Sequence, residues 1–280
     1  MKRSLMLKSL TIATLLSTSL FANSIDDKIL KYEKHRVSRN PNIKVNDVKL
    51  FLKKDLNMNG WSGYVFDIDL TIDNKDRNLK DIIFSNGTLI TTSLKNLNTN
   101  QSLTKLMYPT LSFKYYDKKF LIAGDQNAKH KITIFSDPLC PICTDTMPKL
   151  IKIVQEHPQE LSLYYIHMPL DMHPTAKMLV KASILAKKQG IQNIDYKVYT
   201  ANFDNDFDPY EEKSERKVLR IFNKKFGTNI SLQSLDDKNI LEELKLSEEL
   251  SSDALIQGTP TIFFDGEIDP SRTKYKKYIK

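Results

Sequence analysis

Residues 131–167 read KITIFSDPLCPICTDTMPKLIKIVQEHPQELSLYYIH, and the fold is decided there. Lys131 to Phe135 is a short run of β-branched and aromatic residues ended by Asp137-Pro138, which reads as a strand. Leu139 to Val154 then carries Met147, Leu150, Ile151 and Val154 on one side at helical spacing, and His157-Pro158 stops it. Leu161 to His167 is a second strand. Strand, helix and strand at this spacing predict a βαβ unit, with parallel strands joined by a right-handed crossover.

Cys140-Pro141-Ile142-Cys143 stands on the first turn of the expected helix, and these are the chain's two cysteines. So short a loop gains little stability from a cross-link, so redox chemistry or metal binding explains the pair better than scaffolding does. A helix start presents unpaired amide N–H groups and the positive end of the dipole, and both favour a thiolate. Cys140 is therefore the expected nucleophile, and Cys143, one turn further in, the thiol that resolves a mixed disulfide.

Working outward, Phe120-Leu121-Ile122 reads as another short strand. Downstream, residues 174–250 are almost wholly helical in pattern: a helix opened by Pro174 and closed by Gly190, a second over Asp195–Tyr199, a third over Glu211–Phe226, and a fourth from about Asp237 to Leu250. Their apolar positions are expected to form a core, with a cap over the site as the functional alternative. Gly258-Thr259-Pro260 then leads into a strand, Thr261–Phe264, with the hairpin turn Asp265-Gly266 behind it. The Thr259-Pro260 bond is expected to be cis and to pack beside Cys140; an ordinary trans proline at a strand start is the alternative. Asp269 and Pro270 predict the cap and first position of a final helix.

The amino-terminal part has a different pattern. Residues 25–39 predict a polar amphipathic helix ended by Asn40-Pro41, and Val45–Leu52 a strand. In Tyr64–Asp73, Phe66, Ile68, Leu70 and Ile72 alternate with polar residues, the mark of a strand with one dry face. Asn74-Lys75-Asp76 reads as a turn, and Ile82–Phe84 with Leu89–Thr92 as a strand pair around Asn86-Gly87. Residues 95–112 are expected to be a linker helix.

The 280 residues are 40% hydrophobic and 27% charged, a globular balance. Lys2, Arg3 and Lys8, then the uncharged stretch Leu10–Phe21, then Ala22 follow the plan of a secretory signal peptide cleaved near Ala22, too short for a membrane span. The formal charge of +8 becomes +5 without residues 1–22, whose three charges are all positive. No arginine-rich stripe is present, which argues against nucleic-acid binding.

Two stretches carry a resemblance: Phe135 to Cys143, and Gln257-Gly258-Thr259-Pro260-Thr261-Ile262-Phe263-Phe264-Asp265-Gly266. With their order and separation they resemble the thioredoxin superfamily, and the chain as a whole looks like its periplasmic DsbC/DsbG branch. That resemblance implies an α/β thioredoxin-like fold with a helical insertion, preceded by a small α+β N-terminal dimerisation domain. The division would be a signal peptide (1–22), a dimerisation domain (23–94), a linker helix (95–112) and a thioredoxin-like domain (113–280). Also implied are a periplasmic homodimer, unfolded or misoxidised exported proteins as substrates, a membrane redox partner, and no organic cofactor. Carried over by position, Cys140 is the nucleophile, Cys143 the resolving thiol, Thr259 the residue before the cis-proline and Pro260 that proline.

The chain departs from the pattern at several places. Ile134 stands six residues before Cys140, where thioredoxin and DsbA carry a buried carboxylate, and no His lies between the cysteines. Pro148 resembles the kink proline of thioredoxin. Two other classes of function stay open: a copper or zinc site made by the cysteines with His167, Met168, Met172 or His173, and a chaperone that uses the dimer cleft without redox turnover.

Overall fold

The computed structural model describes residues 24–279 apart from 73. The proposed signal peptide, residues 1–22, lies outside them. Helix α1 (Ile25–Val37) begins with a capping box, in which the Ser24 hydroxyl accepts from Asp27 N–H and the Asp27 carboxylate accepts from Ser24 N–H. Strands β1 (Ile43–Met58), β2 (Trp61–Ile72), β3 (Lys75–Ser85) and β4 (Ile90–Thr91) form an antiparallel sheet in that order. The alternation expected in β2 is present: Tyr64, Phe66, Ile68 and Leu70 join Ile29 of α1 in one core. At the base of the sheet the other face is dry as well, because Val65, Ile82 and Phe84 pack against Leu56, Met107 and Leu255.

Two expectations change here. Lys75 and Asp76 belong to β3, paired with Ile72 and Thr71, so the hairpin is tighter than the sequence suggested. Asp76, Arg77 and Asn78 are polar and exposed, so this half of β3 carries no alternation to detect. Residues 95–112 hold a single 3-10 turn (Leu103–Met107) in place of a linker helix. Its apolar pair, Leu103 and Met107, is buried, and Gly63 gives Met107 room: a Cβ there would stand 2.2 Å from its Sδ.

The second sheet has the order β5-β7-β6-β8-β9: β5 (Leu121–Gly124), β6 (His130–Ser136), β7 (Leu161–His167), β8 (Thr261–Phe264) and β9 (Glu267–Ile268). Strands β6 and β7 are parallel and connected by α2 (Pro141–Glu156), which is the expected βαβ unit. Side chains alternate across β6. Ile132 and Ile134 meet Met147, Leu150, Ile151 and Val154 of α2 on one face, while Phe135 joins Tyr115, Tyr164 and Phe263 on the other. Burial of such aliphatic side chains contributes about 1.5–3 kcal/mol each, so α2 is held firmly to the sheet.

Helices α3 (Ala176–Lys188), α4 (Ile194–Tyr199), α5 (Glu215–Phe226) and α6 (Lys238–Asp253) form the insertion. It has a core of its own, including Leu179, Val218, Leu219 and Phe222, and Leu139 from the loop between β6 and α2 is anchored in it. The expected final helix is absent. The buried Asp269 carboxylate instead accepts from Ser271 and Lys274 N–H, Arg272 lies at φ +57°, and only a 3-10 turn, Lys274–Lys277, follows. A capping residue that binds a turn this tightly competes with helix formation.

Candidate active site

Cys140 is the N-cap of α2, with extended backbone, and Pro141 is the first helical residue. Pro costs nothing at this place because its missing N–H would have been unpaired. The Cys140 carbonyl accepts from Cys143 N–H at 2.9 Å and Thr144 N–H at 3.0 Å, closing the first turn. Strand register delivers the second motif: Thr261 of β8 pairs with Phe135 of β6, which sets Thr259 and Pro260 beside the loop between β6 and α2. The Thr259-Pro260 peptide is cis, and the Cys140 thiol donates to the Thr259 carbonyl at 3.6 Å. Residues 119 positions apart are thus joined at one sulfur.

Both cysteines are free thiols and differ in setting. Cys140 is 7% exposed and Cys143 fully buried. The Cys140 thiol falls from an ordinary 9.0 to about 5, chiefly because the Cys143 side chain hydrogen-bonds to it. Burial opposes this, while Thr259 and the amide groups of Cys143 and Ile142 add to it. Cys143 moves the other way: burial, and then the hydrogen bond it gives Cys140, push its thiol well up. One sulfur is prepared as a thiolate and the other held as a thiol that stabilises it.

The surroundings contain groups that sequence reasoning did not single out. Asp137 is fully buried, and its carboxylate accepts from Leu139 N–H at 2.7 Å, Leu170 N–H at 2.6 Å and His173 Nδ1 at 2.9 Å. It locks the loop carrying Cys140 to the segment after β7. His173, a candidate metal ligand by sequence, has its ring held by Asp137, and its Nε2 is buried without a partner. Burial depresses its pKa, but the hydrogen bond and charge of Asp137 outweigh that and leave it raised. The Thr259 hydroxyl is buried with no regular hydrogen-bond partner, and its nearness to both sulfurs favours their thiolates. Ile134 is buried beneath α2, so no carboxylate comes from that position. Ser136, Tyr165 and Tyr199 stand in its place, with the Tyr199 hydroxyl 2.8 Å from Ser136 Oγ and 2.9 Å from the Tyr165 hydroxyl. The Ser-Asp pair lay next to the motif in sequence, but nothing there linked it to Tyr199 or His173.

Ile142, between the cysteines, is 53% exposed. Tyr210, packed on the His173 ring at 4.9 Å, and Met172 are exposed too. Among the described residues no group of three or more His, Cys, Asp or Glu side chains stands together as a metal-ligand set, and no helix is long and apolar enough to cross a membrane.

A dithiol at a helix start, opposite a cis X-Pro bond on a five-stranded mixed sheet, defines a thioredoxin-like site. The chain belongs to the thioredoxin family, whose model matches residues 117–280. No curated protein sequence matches it. Among solved structures it is similar to a protein from Pseudomonas syringae described provisionally as a protein-disulfide isomerase, at 14% identity and TM-score 0.50, over 59% of this chain and 99% of that one. Others are a thioredoxin-like oxidoreductase from Silicibacter pomeroyi DSS-3 (17%, TM-score 0.47, 57% and 88%) and BdbD from Bacillus subtilis (18%, TM-score 0.46, 61% and 92%). At such identities the likeness concerns the fold alone.

Proposed function

We propose that this chain is a periplasmic thiol–disulfide oxidoreductase that isomerises or introduces disulfides in exported proteins. The observation that carries the reading is the Cys140 sulfur at the N-cap of α2, 3.6 Å from the carbonyl before the cis-proline, where its thiol is lowered to about 5. In the reaction the Cys140 thiolate attacks a substrate disulfide, one substrate sulfur leaves as a thiolate, and a mixed disulfide remains. Attack by Cys143 on Cys140 then releases the second substrate sulfur, leaving Cys140 and Cys143 as a disulfide. In isomerisation a substrate thiol instead displaces Cys140. Thr259 and Pro260 are the residues against which an extended substrate segment would lie.

Exposed Ile142, Met172 and Tyr210 support an unfolded apolar chain as substrate. Localisation rests on the signal-peptide pattern, and a membrane redox partner is needed to return the dithiol or disulfide. Membership of the DsbC/DsbG branch and a homodimer through the amino-terminal sheet are part of the same proposal. The sixteen-residue edge strand β1, with exposed Leu50 and Phe51, supports the latter.

The test is turnover of scrambled and reduced secreted substrates by wild type and Cys140→Ala, with the in vivo redox state of the pair trapped by alkylation. Wild-type turnover lost in the variant is expected. A resting disulfide marks an oxidase, a resting dithiol an isomerase or reductase. Equal activity of the variant refutes the redox role and leaves the chaperone reading.

A further inference from the structure

Resolution of a mixed disulfide on Cys140 requires Cys143 as a thiolate, yet Cys143 is fully buried and its own surroundings hold it as a thiol. Its proton has no direct route to solvent, and Ile134 supplies no acceptor. A line of buried hydroxyls begins at this sulfur. Ser136, fully buried at the end of β6, lies close enough to Cys143 to favour its thiolate. Tyr199 of α4 bonds Ser136 Oγ at 2.8 Å and Tyr165 of β7 at 2.9 Å, and both tyrosines are almost fully buried. Each hydroxyl has one proton to give and lone pairs to accept, so the line can align with every neighbour donating in one common direction.

The line ends at a small enclosed cavity of about 10 Å³, lined by Tyr165, His167, Ser183, Lys187, Asp195 and Glu243. His167 Nδ1 is buried without a partner. Asp195 lies on α4 four residues before Tyr199 and is paired with Lys187 at 3.4 Å, with 11% of its side chain reaching solvent. The tyrosine that contacts the sulfur's neighbour and the carboxylate at the far end thus come from one short helix of the insertion.

We propose that Ser136, Tyr199 and Tyr165 form a hydroxyl relay that carries the Cys143 proton to Asp195 while a mixed disulfide is being resolved. The proposal rests on the dithiol-exchange reading above. In the step, Cys143 S–H passes its proton to Ser136, Ser136 to Tyr199, Tyr199 to Tyr165, and Tyr165, through one water held in the cavity, to the Asp195 carboxylate, which releases it to solvent. All three hydroxyls end reversed, and Ser136 now donates to the new thiolate. The Cys143 thiolate forms a bond to Cys140 Sγ. The bond between Cys140 and the substrate sulfur breaks, and that sulfur departs with the electron pair. Cys143 is oxidised, the substrate sulfur is reduced, and no other reactant is needed.

The ionisable groups facing this path are Cys140 and Asp137 at the sulfur end, and Asp195, Lys119, Lys187, Glu243 and His167 at the cavity. Burial lowers His167 to about 4, so it stays neutral near pH 7. The helical insertion, on this proposal, does more than cover the site, since it supplies the middle of the proton path.

Stopped-flow reaction of the reduced protein with Ellman's reagent separates the two chemical steps. The first thionitrobenzoate is released by Cys140, the second by Cys143 attacking the mixed disulfide. Tyr199→Phe is expected to leave the first phase alone and slow the second by about a hundredfold at pH 7, the low end for a positioned proton acceptor. The deficit should shrink as pH rises and hydroxide takes over. Ser136→Ala is expected to behave alike and serves if Tyr199→Phe does not fold. An unaltered second phase, a slowing equal at every pH, or equal slowing of both phases overturns the relay. A wild-type first phase no faster than that of free cysteine would instead refute the dithiol reading, and it is read from the same trace.

Discussion

Replacing Cys143 by alanine removes the largest stabiliser of the Cys140 thiolate, and the size of the effect follows from the geometry. The Cys143 side chain hydrogen-bonds the Cys140 sulfur, and this outranks the Thr259 and amide contributions. A hydrogen bond to a charged group is worth about 1.5–3 kcal/mol, and a tenfold change in ionisation about 1.4 kcal/mol. Cys140 in Cys143→Ala should thus titrate roughly one to two pH units above the same thiol in Cys143→Ser, where a hydroxyl still donates. At pH 6 the thiolate fraction would drop from about nine-tenths to between a half and a tenth. Both variants should stay below an ordinary thiol, because the amides of Ile142 and Cys143 and the Thr259 side chain remain. Ultraviolet thiolate absorbance and iodoacetamide alkylation, each followed against pH, give the two curves. Alkylation near pH 7 will differ less than ionisation, since nucleophilicity falls with pKa at a Brønsted slope of about 0.4–0.5. Superimposable curves would refute the role of the Cys143 donor; curves like that of free cysteine in solution would refute the whole electrostatic account.

Three further outcomes are expected. Thr259→Val keeps shape but loses the hydroxyl, and should raise the Cys140 titration by about half to one pH unit in the same assay; no change would mean that the hydroxyl does not act on the sulfur. Asp137→Ala leaves the Leu139 and Leu170 N–H groups and His173 Nδ1 without their acceptor and should cost about 3–5 kcal/mol in urea unfolding. His173 has a folded pKa above its ordinary 6.5, so the Asp137 pair stabilises below that pH and its contribution fades as pH climbs through the raised value. Unfolding of Asp137→Ala should lack this alkaline decline. His167 is the opposite case: burial takes it from 6.5 down to about 4, so its stabilising effect is whole above 6.5 and lost as pH falls toward 4, worth up to about 3 kcal/mol. His167→Phe should flatten the acid limb of stability against pH, and an unchanged limb would refute this.

Local chemistry explains what was legible in advance. Strands β6 and β7 are short apolar runs buried on both faces, helix α2 buries a face at helical spacing, and Cys140 with Pro141 announces the helix start by the groups that α-helix ends leave unpaired. Elements without a dry face of their own were misread. The polar half of β3 passed for a turn, and Asp269-Pro270 imitated a helix start although its carboxylate was already engaged by Ser271 and Lys274 N–H.

From its residues alone follow a cysteine pair on the first turn of a helix and the βαβ frame that carries it, because spacing along one chain determines both. Only the tertiary structure decided what surrounds the two sulfurs. The β6–β8 register brings Thr259 to Cys140, the turn after β7 gives His173 to Asp137, and α4 leans Tyr199 onto Ser136. Those partners are distant in sequence and lie in segments whose patterns record burial. Burial pattern tells which side of a helix is dry, and says nothing of which buried hydroxyl will face which sulfur.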